Sequence, residues 1–140
     1  MKILVPVDGS PYTKRMLAYL AAHDEWLGGL HEYTVLHAVP AVPPRAAAVL
    51  DKDVLKGYYD DEAEKVLKTL RTFFGKQKIA AEFVAKVGPA ADTIAGVLKK
   101  GKYDLVIMGS HGHSSLGNLV LGSVATKLMA QSNTPVLLVR

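Results

Sequence analysis

Apolar residues fall into short continuous blocks along the chain, separated by longer stretches in which they recur at helical spacing. The first block, residues 2 to 7, carries Ile3-Leu4-Val5-Pro6-Val7 almost without interruption, the pattern of a strand buried on both faces. Asp8-Gly9-Ser10-Pro11 breaks it with a turn, a serine suited to an N-cap and a proline at the first helical position. Met16, Leu17, Leu20, Ala21 and Leu27 then repeat at helical spacing until Gly28-Gly29 stops the pattern. A second strand is predicted from Glu32 to Val39, ended by Pro40 and Pro43-Pro44, and the Pro- and Ala-rich residues 40 to 48 read as a loop.

From Val49 onward, Leu50, Val54, Tyr58, Ala63, Val66, Leu67, Leu70, Phe73 and Phe74 predict one long amphipathic helix. Asp51 and Asp53 near its start and Arg71 and Lys76 near its end complement its dipole. Residues Ile79 to Val87 alternate in polarity, as a less buried, edge-like strand does. Gly88-Pro89 opens a short helix with Ile94, Val97 and Leu98 on one face, closed near Gly101. Tyr103 to Met108 forms a fourth strand, Gly122-Ser123 opens a last helix and Pro135 to Val139 forms a fifth strand.

Strands alternating with helices predict a parallel sheet with right-handed crossovers and helices on both faces: an α/β, Rossmann-like architecture in one domain spanning residues 1 to 140. Strand order 3-2-1-4-5 is the simplest arrangement if the first and fourth strands flank the point where the order reverses. In such open sheets ligands bind at the carboxyl ends of the strands beside that point. The strand ends at Asp8, Ala38 and Gly109 are therefore expected to converge. No internal repeat or low-complexity tract interrupts the chain.

Composition narrows the classes. A chain of 140 residues with 49% hydrophobic content can build one real core. Without cysteine it has neither disulfides nor thiolate metal sites, which fits a reducing compartment, and the cytoplasm is the expected location. The N-terminal apolar run is too short for a secretory signal, and no stretch approaches the ~18 apolar residues of a membrane helix. The net charge of +4 comes from basic residues such as Lys65, Lys68, Arg71, Lys76, Lys99 and Lys100, scattered through helical patterns among acids. That is a solvated face, not a nucleic-acid patch, although a mild positive field can steer an anionic ligand.

The candidate chemistry follows the fourth strand. Gly109 is followed after two residues by Gly112, and after nine more by Gly122-Ser123 at a helix start. Glycines admit a close ligand or a positive φ, and a helix N-terminus offers unpaired N–H groups with the positive end of its dipole, so the arrangement suits a phosphate chain. The Ser123 hydroxyl can cap the helix or bond a phosphate oxygen. Gly112 to Gly117 has P-loop spacing, but Asn118-Leu119 stands where Lys and Ser or Thr are needed, and no G-x-G-x-x-G follows a strand. His111-x-His113 makes a poor metal site, and one of the two touching phosphate or solvent is the better reading. His37 reads as a packed core residue, and His23 and His31 as surface residues. No Ser-His-Asp grouping can be argued.

Taken whole, the chain resembles the universal stress protein family nearly end to end. The resemblance is carried by residues 3 to 10, Leu36-His37-Ala38-Val39, Val87-Gly88-Pro89-Ala90, residues 104 to 112, Leu121-Gly122-Ser123-Val124 and residues 135 to 139. In the ATP-binding branch of that family the spacing met at Gly109, Gly112, Gly122 and Ser123 holds the phosphates. The resemblance further implies Pro6 and Asp8 at the nucleoside end, backbone contacts from Ala38 to adenine, and Met108 and Val124 as pocket walls. A carboxylate accepts from ribose hydroxyls and repels phosphate, which suits Asp8 to the sugar; its other reading is a turn residue before the first helix.

The implied function is an ATP-binding stress-response protein, a nucleotide-dependent switch or interaction module with absent or slow hydrolysis and with Mg²⁺ only as a companion of the phosphates. An ATPase or nucleotidyl-transfer enzyme of related fold, and an interaction protein with a vestigial pocket, are the alternatives. The short last strand, Val136 to Val139, lies on the expected sheet edge, and the family associates there. A two-fold homodimer is the expected partner state.

Overall fold

In the computed structural model, which describes residues 1–113 and 119–140, the apolar blocks become five strands of one parallel sheet. They are β1 (Lys2–Pro6), β2 (Glu32–Val39), β3 (Ala81–Val87), β4 (Leu105–Gly109) and β5 (Val136–Val139), in the expected order β3-β2-β1-β4-β5. The helices are α1 (Pro11–Ala22), α2 (Asp24–Leu27), α3 (Pro44–Val49), α4 (Lys52–Lys76), α5 (Ala90–Lys100) and α6 (Ser123–Gln131).

Two apolar clusters sandwich the sheet, because alternate side chains of each strand point to opposite faces. On one face Ile3, Val5, Val35, Val39 and Ile107 pack with Met16, Leu17 and Leu20 of α1, Leu27 of α2, and Ala63, Leu67, Leu70 and Phe74 of α4. On the other, Leu4, Leu36, Val106 and Met108 pack with Ile94 and Leu98 of α5 and Ala125 and Leu128 of α6. No helix among the described residues is long and apolar enough to cross a membrane.

The structure moves several boundaries, among them the fourth strand, which runs Leu105–Gly109 instead of from Tyr103 to Met108. The first helix breaks at His23, whose backbone leaves helical geometry and whose Nδ1 hydrogen-bonds the Tyr19 carbonyl at 2.8 Å while the two rings stack. The predicted loop ends in the short helix α3, started by Pro44 and burying none of its residues, so it left no periodicity to read. Helix α4 begins at Lys52, after Asp51 accepts from the Asp53 N–H. Strand β3 begins at Ala81, since Lys78 turns with φ 55° and the Ile79 N–H returns to the Phe74 carbonyl.

His37 is a buried core residue bonded to the Val7 carbonyl at 2.8 Å, as expected. His23 and His31 are half-buried, each with a ring nitrogen on a backbone carbonyl. Every buried residue of α4 lies at or after Ala63. Its first eleven residues bury none, leaving Val54 58% and Tyr58 47% exposed. With 25 residues it is ~37 Å long, which exceeds any of the strands, and its first half overhangs the carboxyl edge of the sheet.

Candidate functional site

The sheet order reverses between β1 and β4: the chain leaves β1 for β2 on one side and returns from β3 to β4 on the other. In open parallel sheets the ligand crevice lies at the carboxyl ends of the strands that flank such a point. Strand alternation decides which side chains face it. Leu4, Leu36 and Val106 lie on the α5 and α6 face, so Pro6, Ala38 and Met108, each two residues further on, lie on the same face. Val7 belongs to the opposite core, and the ladder continues through its N–H to the Leu36 carbonyl. Asp8 lies two residues past the end of β1, where its carboxylate meets the start of α1. Met108 is 6% exposed, and Val124 packs against the same cluster, so both belong to the core on this face.

Asp8 shows both of its readings. Its Oδ1 accepts from the Ser10 N–H and the Thr13 hydroxyl, each at 2.9 Å, and Ser10 in turn caps α1 by accepting from the Thr13 N–H. This is the turn role. The second oxygen, Oδ2, points to Gly112, where a Cβ would stand 2.7 Å from it. Thr13 completes the knot by accepting from the Asp8 N–H at 3.2 Å. The sequence reading overlooked Thr13, whose hydroxyl bonds Asp8 across the turn.

The motif glycines serve close packing. None of Gly109, Gly112 or Gly122 has a positive φ, a conformation found at Gly9 and Gly88. A Cβ on Gly109 would lie 2.7 Å from Cβ of Tyr12 in α1, and one on Gly122 would lie 2.9 Å from Cα of His111 and 3.0 Å from the Ser110 carbonyl oxygen. These two glycines let α1 and α6 approach the end of β4, and only Gly112 borders an outward-facing functional atom. Tyr12, also overlooked in the sequence, stands 4.9 Å from the His111 ring.

Ser123 departs from the cap reading. Gly122, in extended geometry (φ −68°, ψ 160°), is the N-cap residue of α6, and Ser123 is its exposed first residue; no side chain caps the helix. The Gly122 N–H donates to the Ser110 carbonyl at 2.7 Å, which fixes the start of α6 beside the loop after β4.

The histidines are bound within the protein. His111 Nε2 donates to the Leu119 carbonyl at 2.9 Å, so its Nδ1 accepts from the Ser110 hydroxyl at 2.8 Å in the neutral ring. His113 Nε2 donates to the Asp8 carbonyl at 2.6 Å. Among the described residues no group of three or more His, Cys, Asp or Glu could hold a metal. Gly117 and Asn118, weighed against P-loop spacing, lie outside the described residues.

A cleft of about 710 Å³ opens at the other end of the sheet, beside Asp92, Lys99, Tyr103, Gln131 and Asn133. Its one carboxylate, Asp92, is already bonded to Gln131 at 3.0 Å. It lies far from the strand ends that converge at the switch point.

The model of the universal stress protein family matches residues 1–140. A relative from Thermus aquaticus, the universal stress protein in the QAH/OAS sulfhydrylase 3′ region, is 33% identical over 138 residues, covering 99% of this chain and 97% of that protein. Among solved structures, protein MJ0577 of Methanocaldococcus jannaschii superposes with a TM-score of 0.78 at 26% identity, covering 99% of this chain and 94% of the other. The universal stress protein of Archaeoglobus fulgidus in complex with dAMP gives 0.69 at 22% identity, covering 100% and 98%.

Proposed function

Because the chain belongs to the universal stress protein family, we propose that its switch-point crevice holds an adenine nucleotide, ATP, and that the nucleotide biases the conformation or partner choice of a stress-response protein. One observation carries this reading: an outward carboxylate oxygen of Asp8, the glycine loop at Gly112 and the uncapped start of α6 are contiguous at the crevice. The carboxylate accepts from ribose hydroxyls, and the loop and helix N–H groups donate to phosphates. Pro6 and Ala38 bound the base and sugar end, with Ala38 offering backbone groups to adenine. Met108 and Val124 form the floor. Gly109, Gly112, Gly122 and Ser123 surround the phosphates, the exposed Ser123 hydroxyl serving as a donor. The dAMP complex of the Archaeoglobus relative names the ligand class in a protein of the same fold.

In this reading Mg²⁺ rides on the phosphates and water, since the described residues supply no metal cluster. No described side chain is arranged as a base on water or as an arginine finger, and hydrolysis is expected to be absent or slow. The cysteine-free composition suits work in the cytoplasm. We further propose a two-fold homodimer through β5. The Pro135 and Val139 carbonyls turn inward to the Val106 and Ser110 N–H groups, so Val136 and Leu138 present their backbone groups at the open edge.

The test is to denature freshly purified protein, identify the nucleotide released, and titrate the emptied protein with ATP, ADP and AMP. An adenine nucleotide is expected in the supernatant and saturable binding in the titration. Absence of binding at millimolar concentration would overturn the reading. Sustained turnover near ~1 per second or faster would replace the switch with an enzyme.

A further inference from the structure

We infer that His113 is the positioning residue that joins the sugar half of this nucleotide crevice to its phosphate half. The inference rests on the nucleotide reading above and deepens it. The sugar half is the β1 end, where Asp8 is locked to its own turn by Ser10 and Thr13, partners within five residues of it. The phosphate half is the loop after β4 with the start of α6, locked together by the Gly122 N–H on the Ser110 carbonyl and by His111 between Ser110 and Leu119.

Each half is thus internally braced. Among the described residues, one hydrogen bond crosses from residues 110–113 to the Asp8 turn: His113 Nε2 to the Asp8 carbonyl, 2.6 Å long, between residues 105 apart in the chain. A carbonyl only accepts, so Nε2 carries the proton. The bond ends on the residue whose Oδ2 is assigned to ribose and starts from the residue directly after Gly112, where a Cβ would meet that same Oδ2 at 2.7 Å. The contact therefore sets the distance between the sugar acceptor and the phosphate donors before any ligand arrives. A ligand that spans both halves gains from this fixed spacing, because ordering the loop is not charged against its binding. A ligand that occupies mainly the sugar half gains little.

The experiment is calorimetric titration of the wild type, His113→Ala and His113→Gln with ATP and with AMP. Glutamine carries an amide N–H about as far from the backbone as the imidazole Nε2. With His113→Ala, ATP affinity is expected to fall roughly three- to tenfold, the effect of one exposed hydrogen bond and the order it imposes, and AMP affinity to fall much less. His113→Gln should recover most of the lost ratio. An ATP-to-AMP ratio unchanged in His113→Ala, or an equal loss for both ligands that glutamine does not repair, would overturn the positioning role while leaving the nucleotide site standing. A wild type that binds neither ligand would overturn the nucleotide reading itself, and this role with it.

Discussion

Replacing Gly109, Gly112 and Gly122 by alanine, one at a time, separates packing from binding. At Gly109 the new Cβ stands 2.7 Å from Tyr12 Cβ, 3.1 Å from its carbonyl carbon and 3.2 Å from its oxygen. Carbon atoms rest at ~3.5 Å or more, so the N-terminal turn of α1 must retreat by roughly 0.8 Å. Forcing an extra carbon into such a contact costs about 1–3 kcal/mol, offset by up to about 1 kcal/mol because alanine suits a strand better than glycine. A net loss of about 1–2 kcal/mol lowers the melting temperature of a domain this size by roughly 3–8 °C. Gly122, at 2.9 Å from the His111 backbone, falls in the same class.

Gly112 differs, since its Cβ meets only the end of the Asp8 side chain. The carboxylate or the loop gives way at less than about 1 kcal/mol, of the order of one hydrogen bond, but the ribose acceptor is displaced and ATP affinity should fall about tenfold. Thermal unfolding followed by circular dichroism, paired with ATP titration of the folded variants, reads both quantities. If Gly109→Ala melted with the wild type while losing nucleotide, or if Gly112→Ala melted as low as Gly109→Ala, the division of roles would be refuted.

Three further outcomes are expected. Ser10→Ala should cost about 1 kcal/mol in denaturant unfolding, because Ser10 caps α1, whereas Ser123→Ala should leave stability within about 0.5 kcal/mol and weaken ATP, because Ser123 caps nothing. Burial pushes the Tyr33 phenol, whose hydroxyl donates to the Leu27 carbonyl, up to about 12. The unfolded chain loses that proton near pH ~10, so this contribution to stability is complete below pH ~10 and is lost as pH rises toward 12; the difference in melting temperature between wild type and Tyr33→Phe should shift across that window and stay constant below it. Val136→Pro removes an N–H from the open edge of β5 while sparing the inner ladder, and light scattering at tens of micromolar should then report a monomer where the wild type is a dimer; a monomeric wild type would count against the β5 interface.

The sheet was legible because its strands are apolar blocks or, in β3, alternate in polarity, and most of its helices carry a buried stripe. Where burial was absent the pattern was silent, as at α3, and where a side chain bonded its own backbone, as His23 does to Tyr19, periodicity ran on through a real break. That Asp8, Ala38 and Gly109 follow strands ending on one edge of the sheet could be read from the alternation of strands and helices alone. The purpose of the glycines could not, because the atoms that exclude a Cβ at Gly109 belong to Tyr12, nearly a hundred residues away in sequence. Of the two readings open for Ser123, the cap fails for a smaller reason: the helix begins one residue earlier in its geometry than a serine cap allows, and Gly122 takes that place. The His113 to Asp8 bond joins distant segments without any motif to announce it.

Helix α4 is anchored mainly through its second half, with Tyr59 the one residue of its first half packed on the core. From Ala63 onward it shares the core, and before that its contact with the rest of the chain includes one hydrogen bond, from the Val42 N–H to the Tyr59 hydroxyl. Eleven residues of helix in water are marginal on their own hydrogen bonds, so Lys52–Glu62 depends on its continuity with the buried second half and on the contacts of Tyr59. Burial is thus uneven within one continuous helix, whose exposed half comes first in the chain. Tyr59 is therefore the residue through which a rewritten first half would reach the core.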